Sequence, residues 1–203
     1  MPADIRGLLL CGGLATRFGR DKLTFDIASA RGAGAPPTPM VALAARNLVA
    51  GAGNALAVIP PGAAALRRIL EAEGCEILES RRTRRGLGAS LGAGVAARPI
   101  ADGWIVALGD MPDIRPETIA AVLARLESGA TLAAPAAPRG GRHGHPVGFS
   151  RALLSELLAL DGDEGARSIV QRHRDALVVV EVDDPGIFTD IDTPSDLEAR
   201  SAS

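Results

Sequence analysis

Aromatic side chains are nearly missing from this chain of 203 residues: they make up 2%, and tyrosine is absent altogether. Hydrophobic residues still reach 47%, many of them alanine. Such a core cannot rest on large interdigitating rings and calls for close helix-on-sheet packing. Cysteine is scarce too. Cys11 and Cys75 end apolar runs with no metal-ligand spacing, and read as small buried residues in a reducing compartment. No excess of basic charge exists, since the formal net charge is -2. That excludes bulk electrostatic binding to nucleic acid, which needs a basic face. No apolar run approaches the ~18 residues of a membrane span, and "MPADIRG" lacks a signal peptide's basic segment and long apolar stretch. The expectation is a soluble, cytoplasmic protein with neither a nucleic-acid nor a membrane partner.

What is present is alternation. The runs "IRGLLLC" (5–11), "ALAVIP" (55–60), "CEILES" (75–80), "GWIVALG" (103–109) and "ATLAAP" (130–135) read as strands. Between them "MVALAARNLVAGAG", "GAAALRRILEAEG", "GASLGAGVAARP" and "PETIAAVLARLESG" carry apolar residues at helical spacing, with Gly or Pro at their ends. Continuous apolar strands alternating with helices predict a mostly parallel sheet covered on both faces. Right-handed crossovers then bring the strand-to-helix loops to one edge, where ligands bind in this architecture. Beyond residue 139, "RGGRHGHPVGF" predicts a glycine-rich loop into a short strand. Helices over "SRALLSELLAL" and "EGARSIVQRH", a strand over "ALVVVEVD" and a last helix capped by Thr193 or Asp192 follow. No linker or internal repeat interrupts residues 1–203, which read as one domain. The stretch "ASARGAGAPPTP" (28–39) is too rich in Gly and Pro for a regular element and reads as a loop.

Three stretches carry chemistry. In "CGGLATRFGRDKL", a strand ends directly in Gly12, Gly13, Arg17, Gly19 and Lys22. Backbone amides exposed after a strand make an anion cradle, glycine lets a phosphate approach, and Arg17 and Lys22 supply a planar fork and a compact charge. The spacing is not that of a P-loop. In "LGDMPD", Asp110 stands at a strand's carboxyl end, where a hard carboxylate suits Mg²⁺, while Asp113 is placed to cap the following helix. In "TDIDTP", one of Asp190 and Asp192 completes the metal site and the other caps the last helix; Asp190 is the preferred ligand. "RGLGASLGAG" (85–94) loosely matches a dinucleotide fingerprint, but "RRTRR" separates it from its strand, so the tight turn is missing. The other reading lets its amides and Ser90 line a pocket for a nucleobase edge. Arg81, Arg82, Arg84 and Arg85 offer a landing site for an anion, although charge runs are more often solvated. His143, His145 and His173 show no metal-ligand spacing, and His145 is placed to touch substrate or to bond its own loop.

Taken in order, "CGGLATRFGRDKL", "GLGASLGAG", "LGDMPDI", "GHPVGFS", "GDEGAR" and "DIDTPSDL" resemble the MobA-like nucleotidyltransferase family, most of all its molybdenum cofactor cytidylyltransferases. The resemblance implies a three-layer α/β, Rossmann-like fold with a mostly parallel sheet. It also implies transfer of a nucleoside monophosphate from a nucleoside triphosphate to a phosphorylated acceptor of the molybdopterin type, releasing pyrophosphate. Carried onto this chain, Gly12, Gly13, Leu14, Arg17 and Lys22 hold the triphosphate. Asp110, with Asp190, binds Mg²⁺, and Gly86, Gly88 and Ser90 match the segment that reads the base. Arg17, Lys22 and Asp110 are the catalytic set, and His145 meets the acceptor. A transient contact with a molybdoenzyme belongs to the same expectation. A phosphomonoester is largely dianionic at neutral pH, so no general base is needed for it to attack. Cys11-Gly12-Gly13 is closer to the guanylyl form of the first loop, whereas "GLGAS", "GHP" and "DIDTP" look cytidylyl, so CTP is favoured and GTP is the alternative. Outside this class, a dinucleotide-binding oxidoreductase or a non-catalytic nucleotide-binding accessory protein is the competing reading.

Overall fold

The structure, a computed structural model, describes residues 3–12, 22–27, 37–138, 141–192 and 196. Gly13, Leu14, Arg17 and most of the 28–39 loop lie outside the described residues, as does all of the expected last helix except Asp196.

Seven strands form one sheet: β1 (Ile5–Leu10), β2 (Leu56–Ile59), β3 (Glu76–Glu79), β4 (Gly103–Leu108), β5 (Leu132–Ala136), β6 (Val147–Ser150) and β7 (Leu177–Glu181), in the order β3-β2-β1-β4-β6-β5-β7. Only β6 runs antiparallel to its neighbours, β4 and β5. The helices are α1 (Met40–Ala52), α2 (Ala64–Ala72), α3 (Leu87–Ala97), α4 (Pro116–Glu127), α5 (Leu154–Leu158) and α6 (Arg167–Arg172).

Strand side chains alternate between two apolar layers, as the period of two requires. Leu9, Ala57, Ile59, Ile105 and Ala107 pack with Val41, Leu48, Leu70, Ile119 and Val122, so α1, α2 and α4 cover one face. Leu8, Leu10, Val58, Trp104 and Val106 pack with Leu91, Val95, Leu157 and Ile169, so α3, α5 and α6 cover the other. This is the three-layer Rossmann-like arrangement expected from the alternating runs. Alanine and glycine on α1 and α3 let the helices lie close on the sheet, and Trp104 and Phe149 fill the wider second layer.

One local reading holds and one changes. Residues 81–85 form a 3₁₀ turn that separates β3 from α3, so the glycines of α3 do not follow their strand directly. The start of α4 is capped from far along the chain. Its N-cap residue, Arg115, makes no side-chain cap bond. Instead Asp184 accepts from Arg115 N–H at 2.9 Å and from the Thr118 hydroxyl at 2.6 Å, taking the role expected of Asp113.

Candidate active site

β1 and β4 are paired along their whole length, and the chain leaves them toward opposite ends of the sheet. That reversal opens a crevice at their carboxyl ends. Gly109 N–H donates to Leu10 C=O at 3.0 Å and Cys11 N–H to Val58 C=O at 3.0 Å, so the ladder stays ordered up to the turns. Gly12 then passes between Thr83 and Ser90. A Cβ there would lie 2.9 Å from Ser90 Oγ and 2.9 Å from Thr83 Cβ, too close for any side chain.

Across this crevice Lys22 and Asp110 meet. Lys22 Nζ donates to Asp110 Oδ2 at 3.0 Å and to Asp192 Oδ1 at 2.5 Å. Lys22 is buried, whereas Asp192 is half-exposed. Burial alone would pull the ammonium's pKa down; the hydrogen bond to Asp192 and the bond and charge of Asp110 together outweigh it and hold the pKa above its ordinary value. Lys22 is therefore a permanent cation between two carboxylates.

The elements that present these groups are tied to one another. Asn47 on α1 donates to the carbonyls of Pro112 and Ile114, each at 3.0 Å, fixing the turn after Asp110. Ile191 N–H donates to Asp110 C=O at 3.0 Å, which sets the segment bearing Asp190 and Asp192 beside that turn. Ile191 itself is fully buried with Ile27, Met40 and Leu43, and Leu23 and Phe25 pack on the same cluster. Phe25 C=O accepts from Met40 N–H and Asp26 Oδ1 accepts from Thr38 N–H, tying the Lys22 segment to the start of α1.

A cavity of about 610 Å³ opens beside Asp110. Its walls are apolar where Leu87, Leu91, Val106, Val147, Phe149 and Val170 line it, and polar where Arg142, His143, His145, Arg167, Gln171 and Asp190 do. His145 stands between β4 and the segment 185–192. Its backbone N–H donates to Ile187 C=O at 3.0 Å and its ring lies beside the Val106 carbonyl. Burial lowers the imidazole pKa, against the opposing effects of the Val106 carbonyl and of Asp110, so the ring is neutral near pH 7. Its Nδ1 is buried with no partner among the described residues.

The sequence-based site is thus brought together in part. Lys22, Asp110 and Gly12 converge, while Gly13, Leu14 and Arg17 lie outside the described residues. Asp192 shares the Lys22 ammonium with Asp110, and Asp190, the acid expected beside Asp110, lines the cavity. Ser90 is fully buried and its hydroxyl donates to Gly86 C=O at 2.9 Å, while Gly88 N–H donates to Gly162 C=O at 2.8 Å. Gly86, at φ 117°, lies where a Cβ would fall 2.5 Å from Gly162 O. Gly86 and Gly88 therefore pack the 86–90 turn against residues 161–163 while Ser90 bonds within it, and the same segment turns Leu87 and Leu91 toward the cavity. The arginine run divides likewise: Arg82 bonds Leu160 C=O and Arg85 pairs with Asp161. Asn47, Arg142 and Gln171 were not anticipated, because single polar residues in helices and loops carry no spacing signal. Arg167 belongs to "GDEGAR", a stretch whose spacing marks no single residue for the site.

Two hard carboxylates converging on one cation are donors of the kind Mg²⁺ takes when phosphates complete its shell. Among the described residues no three His, Cys, Asp or Glu side chains gather into a closed metal cage. Nor is any helix among them long and apolar enough to cross a membrane.

Comparison with the curated protein sequences gives no match. Among solved structures the fold is similar to Rv0371c from Mycobacterium tuberculosis H37Rv, with a TM-score of 0.82, 24% identity and 100% of both chains covered. A manganese complex of Rv0371C from the same organism aligns with a TM-score of 0.77 at 22% identity, again over 100% of both chains. CMP:2-keto-3-deoxy-manno-octonic acid synthetase complexed with CTP aligns with a TM-score of 0.69 at 19% identity, over 100% of this chain and 98% of that one. The profile of the MobA-like NTP transferase domain matches residues 7–177, from within β1 to the first residue of β7. Because that match takes in both carboxyl-end turns of the crevice, this chain belongs to the MobA-like NTP transferase domain family and is a nucleotidyltransferase that uses a nucleoside triphosphate.

Proposed function

We propose that this chain moves a nucleoside monophosphate, cytidylyl by preference, from its triphosphate to a phosphorylated acceptor of the molybdopterin type, releasing pyrophosphate, and that residues 1–203 work as one unit. The observation that carries this reading is Lys22 held between Asp110 and Asp192, with Asp110 also lining a cavity of about 610 Å³ that can take a second substrate. Asp110 with Asp192 would hold Mg²⁺, with Asp190 as the neighbouring acid on the cavity wall. When bound, the ion would neutralise charge on the triphosphate. The manganese in one structural neighbour and the CTP in another support the choice of ligands.

The chain's own residues do the rest. Gly12 lets the turn at the end of β1 pack between Thr83 and Ser90, and that turn presents its backbone to the phosphates. Lys22 stabilises the charge that builds on the leaving pyrophosphate, and Gly13, Leu14 and Arg17 are assigned to the triphosphate by the family resemblance of the first loop. Arg142 and Arg167 give the cavity a cationic side suited to an acceptor phosphate, and His145 meets the acceptor as a neutral hydrogen-bonding ring. A cytoplasmic setting, with a passing contact to a molybdoenzyme, suits a product of this kind.

The test is pyrophosphate release from purified protein given CTP or GTP, with and without Mg²⁺, and molybdopterin-type cofactor as acceptor. Mg²⁺-dependent release with CTP and acceptor together is the expected result. Release with GTP alone would reassign the base, and no release with either triphosphate would overturn the acceptor class.

A further inference from the structure

The two carboxylates that would hold the metal ion are the two that hold Lys22. We infer that Lys22 is a resident counter-ion which excludes a divalent cation from Asp110 and Asp192 until a triphosphate arrives to take the ammonium, so that metal and nucleotide enter together. The inference rests on the metal-nucleotide reading given above and extends it to the order of binding.

Three observations carry it. The ammonium bonds both carboxylates at once, at 3.0 and 2.5 Å, so neither acid is without a counter-charge. Lys22 is buried, so its attraction to the two carboxylates is poorly screened, and that attraction opposes its removal to solvent. The segments on either side cannot simply drift apart: Leu23 and Phe25 pack with Ile191, and Ile191 N–H is bonded to Asp110 C=O. A divalent ion on the same oxygens would lie within a few ångströms of the ammonium, and like charges at that range repel strongly. The tail of a nucleoside triphosphate offers Lys22 a new anionic partner on the same side of the crevice as Gly12. Once the ammonium turns to the phosphates, both carboxylates are available to the ion. Metal and nucleotide are then positively coupled, and the coupling is reciprocal.

The experiment is Mn²⁺ binding, followed by the loss of the free-ion electron paramagnetic resonance signal, for wild type and Lys22→Met, without nucleotide and with CTP or GTP. For the wild type, Mn²⁺ binding is weak alone and strengthened by the triphosphate. In Lys22→Met the nucleotide-free affinity rises, and the ratio of the two affinities shrinks by about tenfold, within the usual range of coupling between sites. Lys22→Gln, which is also uncharged, repeats the measurement should the methionine variant not fold. If the wild type binds Mn²⁺ with triphosphate but neither variant gains nucleotide-free affinity, the counter-ion role is overturned while the metal-nucleotide reading stands. If the wild type binds no Mn²⁺ even with both triphosphates, both fall.

Discussion

At the scale of single residues, the charge of Lys22 and the missing side chain of Gly12 make the most demanding claims. Removing one preorganised cation from a developing negative charge typically lowers turnover about 10²- to 10³-fold. Lys22→Ala is therefore expected to reduce kcat by about 10²-fold, with a smaller change in KM for the triphosphate, measured by steady-state pyrophosphate release. An unchanged kcat would remove Lys22 from the reaction. Gly12→Ala tests the packing of the turn instead. Its Cβ would press on Ser90 Oγ and Thr83 Cβ, pushing the end of β1 out of register with the α3 turn. Triphosphate affinity, read by calorimetry, should fall at least as much as stability does; a variant that binds normally would show that the turn can give way. Cys75 makes a quieter claim. Burial, helped by the charge of Glu73, pushes its thiol up to about 11, so at pH 8 it should react with a disulfide reagent far more slowly in the folded than in the unfolded chain.

Among the elements, what could be read from sequence and what could not divide on distance along the chain. The strands β1 to β5 and helices α1 to α4 announce themselves by continuous apolar runs and by three- and four-residue spacing, and each forms within a few residues of its expected bounds. Lys22 and Asp110 were legible because each follows a strand at the edge where this architecture binds ligands. The antiparallel setting of β6 was not, since a four-residue strand carries no mark of direction. Nor could spacing show that Asp192 reaches Lys22 while Asp190 lines the cavity, because that depends on Ile191 being buried under α1 and bonded to Asp110. Asp184 shows the same limit. Its carboxylate reaches across 66 positions to Thr118, and a local cap rule finds Asp113 instead. Asp184 accepts three hydrogen bonds while 4% exposed, the third from Gly186 N–H. Asp184→Ala strands a buried hydroxyl and two amides, and should cost about 3 kcal/mol in a urea titration. Thr118→Val removes one of these bonds and should cost less than half as much; equal losses would mean the carboxylate's other bonds count for little.

Across the whole molecule, His145 is the group through which the sheet, the closing segment and the cavity are joined. Its ring lies beside β4 at Val106, its backbone is bonded to Ile187, and it lines the cavity with Asp190. Because burial lowers its pKa, the unfolded chain takes up a proton near pH 6.5 while the folded chain does not. Below that pH the unfolded state binds more protons, so stability falls as pH falls, by about 1.4 kcal/mol per unit while only the unfolded imidazole is charged. Above pH 7 the contribution is complete and constant. His145→Asn keeps a polar side chain of similar reach with no titration of its own. Melting temperatures recorded from pH 8 to 5.5 should therefore drop less steeply for the variant than for the wild type, with the two curves parting only below about pH 6.5, the ordinary imidazole value. Carboxylates elsewhere titrate in both proteins and leave this difference unaffected. Parallel curves would mean that the ring is protonated in the folded state as readily as in the unfolded one, so that burial at this junction does not set its charge.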